Sequence, residues 1–265
     1  MAESQVALVT GGGAGMGLAT ATKLIESGWK VIIVDLNNET GLKAAEGLGK
    51  NATFVQADVT KWDDQVGAFE HAVELHGQIN FVFANAGIAG RAGFYDAATT
   101  WPPERPSLIV EEVCLKGVVY TSYLAMHYMR GNKPSGGVIV TTASGVHAAA
   151  SIYTAPDLPL YTAAKHGVLG LMRAMSHQLK DEGIRVNSIL PGAIRTTLYS
   201  DDIWTQFPKD DFTPVEEVVN TVMSLVSDET ATGRAMEISA GETFDRRQPE
   251  YCNETMRRIM EGKSY

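Results

Sequence analysis

Short apolar runs recur along this chain and alternate with longer stretches whose apolar residues fall at helical spacing. VALVT, residues 6–10, reads as a strand buried on both faces. Glycines follow it, then an apolar-rich segment over 16–27 that predicts a helix stopped by Gly28. KVIIVD predicts a second buried strand ending at Asp35. A helix over 40–48 leads to a third strand, ATFVQAD, ending at Asp58. Val66, Phe69 and Val73 then recur at helical spacing, and Gly77 ends that helix. INFVFANAG reads as a fourth strand with its exit loop, GGVIVTTAS as a fifth, IRVNSILPG as a sixth and AMEISAG as a seventh. Helices are predicted over 107–130, 160–183 and 215–227.

Strands alternating with helices predict the α/β class: a doubly wound, parallel, seven-stranded sheet of Rossmann type, covered on both faces. Three segments, 88–107, 145–160 and 193–212, lack periodicity and read as lid loops. No linker or repeat interrupts the pattern, so residues 1–241 form one domain. The polar tail over 242–265 reads as a short helix or an extended arm.

Composition narrows the partners. The chain has 265 residues, enough for one large core, and a net charge of −9. That charge disfavours nucleic acid or an anionic membrane as partner. No apolar run is long enough to span a bilayer, and polar AESQ leads straight into the first strand. The expectation is a cytoplasmic protein. Its two cysteines, Cys114 and Cys252, lie far apart and read as reduced thiols. No His/Cys/Asp cluster has metal-ligand spacing, so no catalytic metal is expected.

The chemistry lies at the strand ends. TGGGAGMG follows the first strand and opens the first helix. Glycines there let the backbone turn tightly and approach a pyrophosphate, whose charge faces the helix N-terminus. The residues concerned are Gly11, Gly15, Met16 and Gly17. Asp35 ends the second strand about 20 residues on, where an acid accepts from a ribose 2′-hydroxyl and repels a 2′-phosphate. No Lys or Arg occurs in the glycine loop, and Leu36 follows Asp35, so NAD is expected over NADP. Asp58 and Val59 suit an adenine amino group, and Asn85, Ala86 and Gly87 would lie along the adenosine.

Tyr161 and Lys165 stand four apart in YTAAK, on one helix face. An ammonium beside a phenol is expected to lower a pKa that is ordinarily about 10. Ser144, upstream in TTASG, would hold a substrate oxygen against that phenol. Together they would exchange a proton with an alcohol or ketone.

These residues together resemble the short-chain dehydrogenase/reductase family over about residues 5–241. TGGGAGMG matches its T-G-x-x-x-G-x-G pattern, and Ala84-Asn85-Ala86-Gly87 is similar to its N-N-A-G. Ser144, Tyr161 and Lys165 match its catalytic set. Pro191-Gly192 matches the P-G after the sixth strand, which Ile194 follows, and Thr196 the threonine that contacts the carboxamide. VFANAG and YTAAKHGVLG look most like the NAD-dependent 15-hydroxyprostaglandin dehydrogenases and their microbial relatives. The resemblance implies Tyr161 as general acid/base and Lys165 as the residue that tunes it and binds the nicotinamide ribose. It implies hydride transfer between NAD and a secondary alcohol or ketone, often in secondary metabolism. It also implies a homodimer or homotetramer paired through the helices near 107–130 and 160–182.

One position departs from the pattern. Cys114 stands where the family usually has an asparagine in its proton relay. A thiol is expected to be a poor copy of a carboxamide there. This departure motivates an alternative: an NAD-binding fold turned to a non-redox biosynthetic step, such as cyclisation, or to ligand binding.

The lid loops would supply the substrate wall. Trp101, His147, Tyr153, Asp157, Tyr199 and Trp204 are the candidate lining residues, with mostly aromatic character that suits a bulky apolar molecule. Met126, Met129, Met172 and Met175 on the two long helices read as packing or subunit surface.

Overall fold

The computed structural model describes residues 4–90, 93–97, 99–144, 153, 155–198, 204–205, 208 and 211–261. Eight strands form one sheet: β1 (Val6–Thr10), β2 (Lys30–Asp35), β3 (Ala52–Gln56), β4 (Phe81–Ala84), β5 (Gly137–Thr142), β6 (Ile184–Pro191), β7 (Ala235–Ser239) and β8 (Glu242–Asp245). Their spatial order is β3-β2-β1-β4-β5-β6-β7-β8. The first seven pair in parallel and β8 runs antiparallel to β7. The predicted architecture is present, with an eighth strand taken from the tail.

Alternation within the apolar runs builds two cores. Leu8, Ile32, Val82 and Ile139 point to one face of the sheet, with Phe69, Met129 and Met172 packed against them. Val9, Ile33, Phe83 and Val140 point to the other face, toward Leu24, Val218 and Val222. Each such side chain contributes about 1.5–3 kcal/mol on burial, which is why the central strands are apolar at every position. The first face is covered by α3 (Trp62–His76), α5 (Gly117–Arg130) and α6 (Pro159–Leu179), the second by α1 (Gly15–Glu26), α2 (Asn38–Leu48) and α7 (Val215–Ser227). Met129 and Met172 are fully buried core residues, and Met126 and Met175 pack partly buried against the same core.

The order of strand addition reverses at β1, which pairs with β2 on one side and β4 on the other. In such a sheet the crevice at the carboxyl ends of the strands is the place where ligands bind. Thr10, Asp35, Ala84, Thr142 and Pro191 all end strands at that edge.

Two elements differ from expectation. The helix predicted over 107–130 is interrupted: α4 (Ile109–Glu111) passes through a π-helical turn, Glu112–Lys116, into α5. The tail forms β8, then α8 (Glu254–Met260). Ala240 and Gly241 make the hairpin with φ of 48° and 86°, both left-handed, as a two-residue type I′ turn requires. β8 thereby covers the open edge of β7. No described helix is long and apolar enough to cross a membrane.

Candidate active site

The glycine loop rests directly on the strand beneath it. Gly11 has φ +64°, and a Cβ there would lie 2.9 Å from Ala86 Cα. Asn85 fixes this approach: its Nδ2 donates to the Thr10 and Gly11 carbonyls at 3.2 and 3.3 Å. Thr10 Oγ1 in turn accepts from the Asn85 and Ala86 N–H groups at 3.0 and 3.2 Å. Ala14 stands at the N-cap of α1 and contributes no side-chain cap, and no acid lies in the first turn. The helix end therefore presents backbone donors to the cleft.

That cleft measures about 780 Å³ and is lined by Gly11, Gly15, Met16, Asp35, Leu36, Asp58, Val59, Asn85, Ala86, Gly87, Tyr161, Lys165 and Thr196, all expected from sequence. It has the volume and the donor set for a nicotinamide cofactor: bare backbone at one end, a carboxylate at the end of β2. Asp35 bridges the loop, accepting from Gly13 N–H at 2.9 Å and from Asn37 N–H at 3.0 Å. Asp58 accepts from the Thr60 N–H and hydroxyl at 2.9 and 2.8 Å. Burial pushes the Asp58 carboxyl up, but these bonds and the nearby Lys61 outweigh it, and the group ends below its ordinary value. Gly17 lies beneath the loop rather than in the cleft, packed against the Gly11 carbonyl.

A second, smaller pocket of about 60 Å³ adjoins the cleft. Its lining includes Ser144, Tyr161, Pro191, Gly192, Ile194, Thr196 and Trp204, again expected, Leu198 from the 193–212 loop, and Leu158, which was not expected. Met16, Thr142, Tyr161, Thr196 and Leu198 line both spaces. Tyr161 thus stands at the junction of cleft and pocket.

Pro159 starts α6 at a position where its missing N–H costs nothing, so Tyr161 and Lys165 fall in the first two turns and face the strand ends. Lys165 Nζ lies 5.6 Å from the centre of the Tyr161 ring and donates to the Thr142 carbonyl at 2.7 Å. The phenol is not lowered, contrary to expectation. Burial pushes Tyr161 above its ordinary value, a hydrogen bond with Ser144 pulls it part of the way back, and Cys114 adds a small upward push. Burial also lowers the Lys165 ammonium. Desolvation dominates because both groups leave water together, and the ammonium is turned to the Thr142 carbonyl.

Cys114 lies at the centre of the π turn, fully buried. Its thiol donates to the Ile88 carbonyl at 3.1 Å and faces the Ile88 N–H at 3.4 Å. Expected to be a poor substitute for a carboxamide, the sulfur makes one donor and one acceptor contact to a single residue. A Cβ on Gly87 would lie 3.7 Å from both Cys114 Sγ and Lys165 Nζ, so the thiol and the ammonium border the same glycine. Cys114→Val strips Ile88 of both contacts and adds a little bulk at a fully buried position. We expect it to lower stability by about 1–3 kcal/mol, the cost of unpaired buried polar groups. Cys114→Ser, which donates and accepts at the same place, should recover much of that loss in urea unfolding.

The lid residues divide. Trp204 lines the pocket, is 4% exposed, and donates its indole N–H to the Thr196 carbonyl at 2.8 Å. Trp101 is 87% exposed and lines neither space. The neighbouring Pro102, Pro103 and Pro106 lack the backbone donors that would tie the run over the pocket. Asp157 faces solvent while its neighbour Leu158 turns inward, as a carboxylate beside an apolar side chain should. Tyr153 also lies off the pocket lining; its hydroxyl accepts from Arg246. His147 and Tyr199 lie outside the described residues. Leu158 could have been found from its place between Pro156 and Tyr161. Ile88, the partner of Cys114, carries no signal of its own. Among the described residues no group of His, Cys, Asp or Glu is placed to hold a metal ion.

Comparison with known proteins agrees with this geometry. Residues 5–206 match the family model described as short chain dehydrogenase. The chain is 38% identical over 274 residues to short-chain dehydrogenase/reductase prx7 of Penicillium rubens, covering 93% of this chain and 95% of that one. It is 35% identical over 232 residues to the mitochondrial borneol dehydrogenase of Lavandula x intermedia, covering 86% and 85%. Among solved structures, the 3-ketoacyl-(acyl-carrier-protein) reductase of Brucella melitensis complexed with NADH superposes with a TM-score of 0.77 at 26% identity, covering 91% of this chain and 99% of that one. With its glycine loop, strand-end residues and Ser144, Tyr161 and Lys165 gathered at one edge of the sheet, the chain belongs to the short-chain dehydrogenase/reductase family.

Proposed function

We propose that this protein is an NAD-dependent dehydrogenase that moves a hydride between NAD and a secondary alcohol or ketone of an apolar small molecule. The observation that carries the reading is the junction: Tyr161 lines both the dinucleotide-sized cleft and the apolar pocket that holds Ser144. The reacting carbon and its oxygen belong where those two spaces meet. Ser144 would hold the oxygen, and Tyr161 would give it a proton or take one away. Lys165 would donate to the nicotinamide ribose, and Asp35 to Leu36 would hold the adenosine ribose. A bound nicotinamide would supply the hydride acceptor or donor. The similarity to borneol dehydrogenase, named for a rigid secondary alcohol, fits a pocket walled by Leu158, Ile194, Leu198 and Trp204. Only a few atoms about the reacting carbon fit in about 60 Å³, so the body of a bulky substrate would extend past the lid residues.

The non-redox alternative was motivated by Cys114. The altered loops add to that motive, and the contacts of the thiol with Ile88 do not supply a carboxamide's relay; the intact Ser144, Tyr161 and Lys165 favour the dehydrogenase reading.

A panel of secondary alcohols, borneol and cyclohexanol among them, followed by NADH absorbance, tests the reading; a panel that yields no NADH refutes it. Cofactor choice is tested at β2. Asp35→Ser with Leu36→Arg removes the carboxylate and adds a cation beside the ribose. We expect the ratio of kcat/KM for NAD over NADP to fall by about a hundredfold or more, since each charged hydrogen bond is worth roughly 1.5–3 kcal/mol. A ratio unmoved by the double substitution would remove Asp35 from the cofactor site.

A further inference from the structure

Arg246 follows β8 and lies beyond every motif used above, yet several elements meet on it. Its backbone N–H donates to the Ala235 carbonyl of β7 at 2.8 Å. Its Nε pairs with Glu237 of β7, whose side chain is 8% exposed. Its Nη2 donates to the Tyr153 hydroxyl at 3.3 Å. Its guanidinium carbon lies 5.2 Å from the centre of the Phe244 ring. Arg173, on the helix that carries Tyr161 and Lys165, donates to the Arg246 and Arg247 carbonyls at 3.5 and 3.4 Å.

A guanidinium presents several donors in one rigid plane, so one edge can be fixed while another reaches a second partner. Here the fixed partner is Glu237. A carboxylate this buried keeps its cation in place, because losing it would strand a charge away from water. The Glu237 bond raises the Arg246 guanidinium above its ordinary range. The reaching edge meets Tyr153, which lies in the connection between Ser144 and Tyr161. Farther along that connection the Ala155 N–H donates to Thr162 Oγ1 at 3.2 Å, and Leu158 enters the pocket wall. Tyr153 is thus tied to the sheet, and Ala155 and Leu158 to α6.

We propose that Arg246 is a positioning residue for the substrate pocket. It fastens Tyr153, two residues before Ala155, to the edge of the sheet and so holds the Leu158 wall against the substrate. The kinetic consequence rests on the dehydrogenase reading; the fastening does not. A purely structural role, stitching β8 to β7, has its own marker in the same hairpin. Arg234 and Asp245 form a second ion pair at 2.7 Å that joins the two strands.

The test uses the full chain with Arg246→Met, Tyr153→Phe, their combination, and Asp245→Asn. Hydrogen exchange of the peptide containing Tyr153 is read first. We expect it to quicken about fivefold in Tyr153→Phe, the worth of one ordinary hydrogen bond, at least as much in Arg246→Met, which also strands Glu237, and to stay unchanged in Asp245→Asn. The KM for borneol with saturating NAD is read next. It should rise about fivefold in both variants with kcat within about twofold, and the combination should be no worse than Arg246→Met alone. Unchanged exchange in Arg246→Met overturns the fastening. Faster exchange with an unmoved KM, additive effects, or an equal rise in Asp245→Asn overturns the positioning role. If wild type leaves borneol untouched, that substrate assignment fails by itself, and exchange alone decides the fastening.

Discussion

Tyr161→Phe should cost about a thousandfold in kcat, within the span that a positioned acid or base supplies, while NADH still binds with near wild-type affinity. The ring contributes to the walls of both cleft and pocket, and phenylalanine keeps the ring. Only the proton carrier is lost. Ser144 remains, but a serine hydroxyl is too weak an acid to replace a phenol at the substrate oxygen. The direction of the Tyr161 shift adds a pH signature. Burial raises the phenol, so it keeps its proton through the neutral range and well into the alkaline one. Ketone reduction consumes that proton and should run level across neutral pH. Alcohol oxidation needs the phenolate and should climb as pH rises, with no plateau near neutrality. Paired kinetics of a ketone with NADH and its alcohol with NAD read both slopes. Tyr161→Phe activity within about tenfold of wild type would assign proton transfer to another group.

Much of this site was legible because it lies where buried strands stop. VALVT, KVIIVD and GGVIVTTAS are apolar at nearly every position, which only a strand covered on both faces requires. Their ends place Thr10, Asp35 and Thr142 at one edge of the sheet, and helical periodicity places Tyr161 beside Lys165. What stayed hidden depends on contacts remote in sequence. The thiol of Cys114 finds its partners at Ile88, 26 residues away, and only the folded π turn brings them together. The sign of the Tyr161 shift was misjudged because charge proximity can be read from spacing and desolvation cannot. β8 was missed for a local reason. Its four residues are exposed, so no alternation marks them, and its turn carries alanine at φ 48° where asparagine or glycine would signal a hairpin. Trp101 failed in the opposite sense: an aromatic in a proline-rich loop suggested a pocket wall and lies in solvent.

Gly17→Ala should abolish measurable NADH binding, with a loss of about a hundredfold or more. A Cβ on Gly17 would stand 2.1 Å from the Gly11 carbonyl oxygen and 2.9 Å from its carbon. The obstacle is backbone, so no side chain can swing aside. Gly11 cannot retreat either. It is already in the left-handed region, 2.9 Å separates its Cβ position from Ala86 Cα, and Asn85 holds its carbonyl. The alanine is accommodated only if the loop lifts from the β4 exit as a unit, which spoils the cradle at the start of α1. Overpacking of this kind costs about 1–3 kcal/mol of stability in addition. Gly67→Ala supplies the contrast. It stands exposed in α3 with nothing within 4 Å of a Cβ, and alanine there should stabilise by up to about 1 kcal/mol. Thermal unfolding with and without NADH separates the two. Wild type and Gly67→Ala should gain melting temperature with NADH, as any ligand of the native state confers, and Gly17→Ala should gain none. A Gly17→Ala protein that NADH stabilises as well as wild type would mean that the dinucleotide does not rest on this loop.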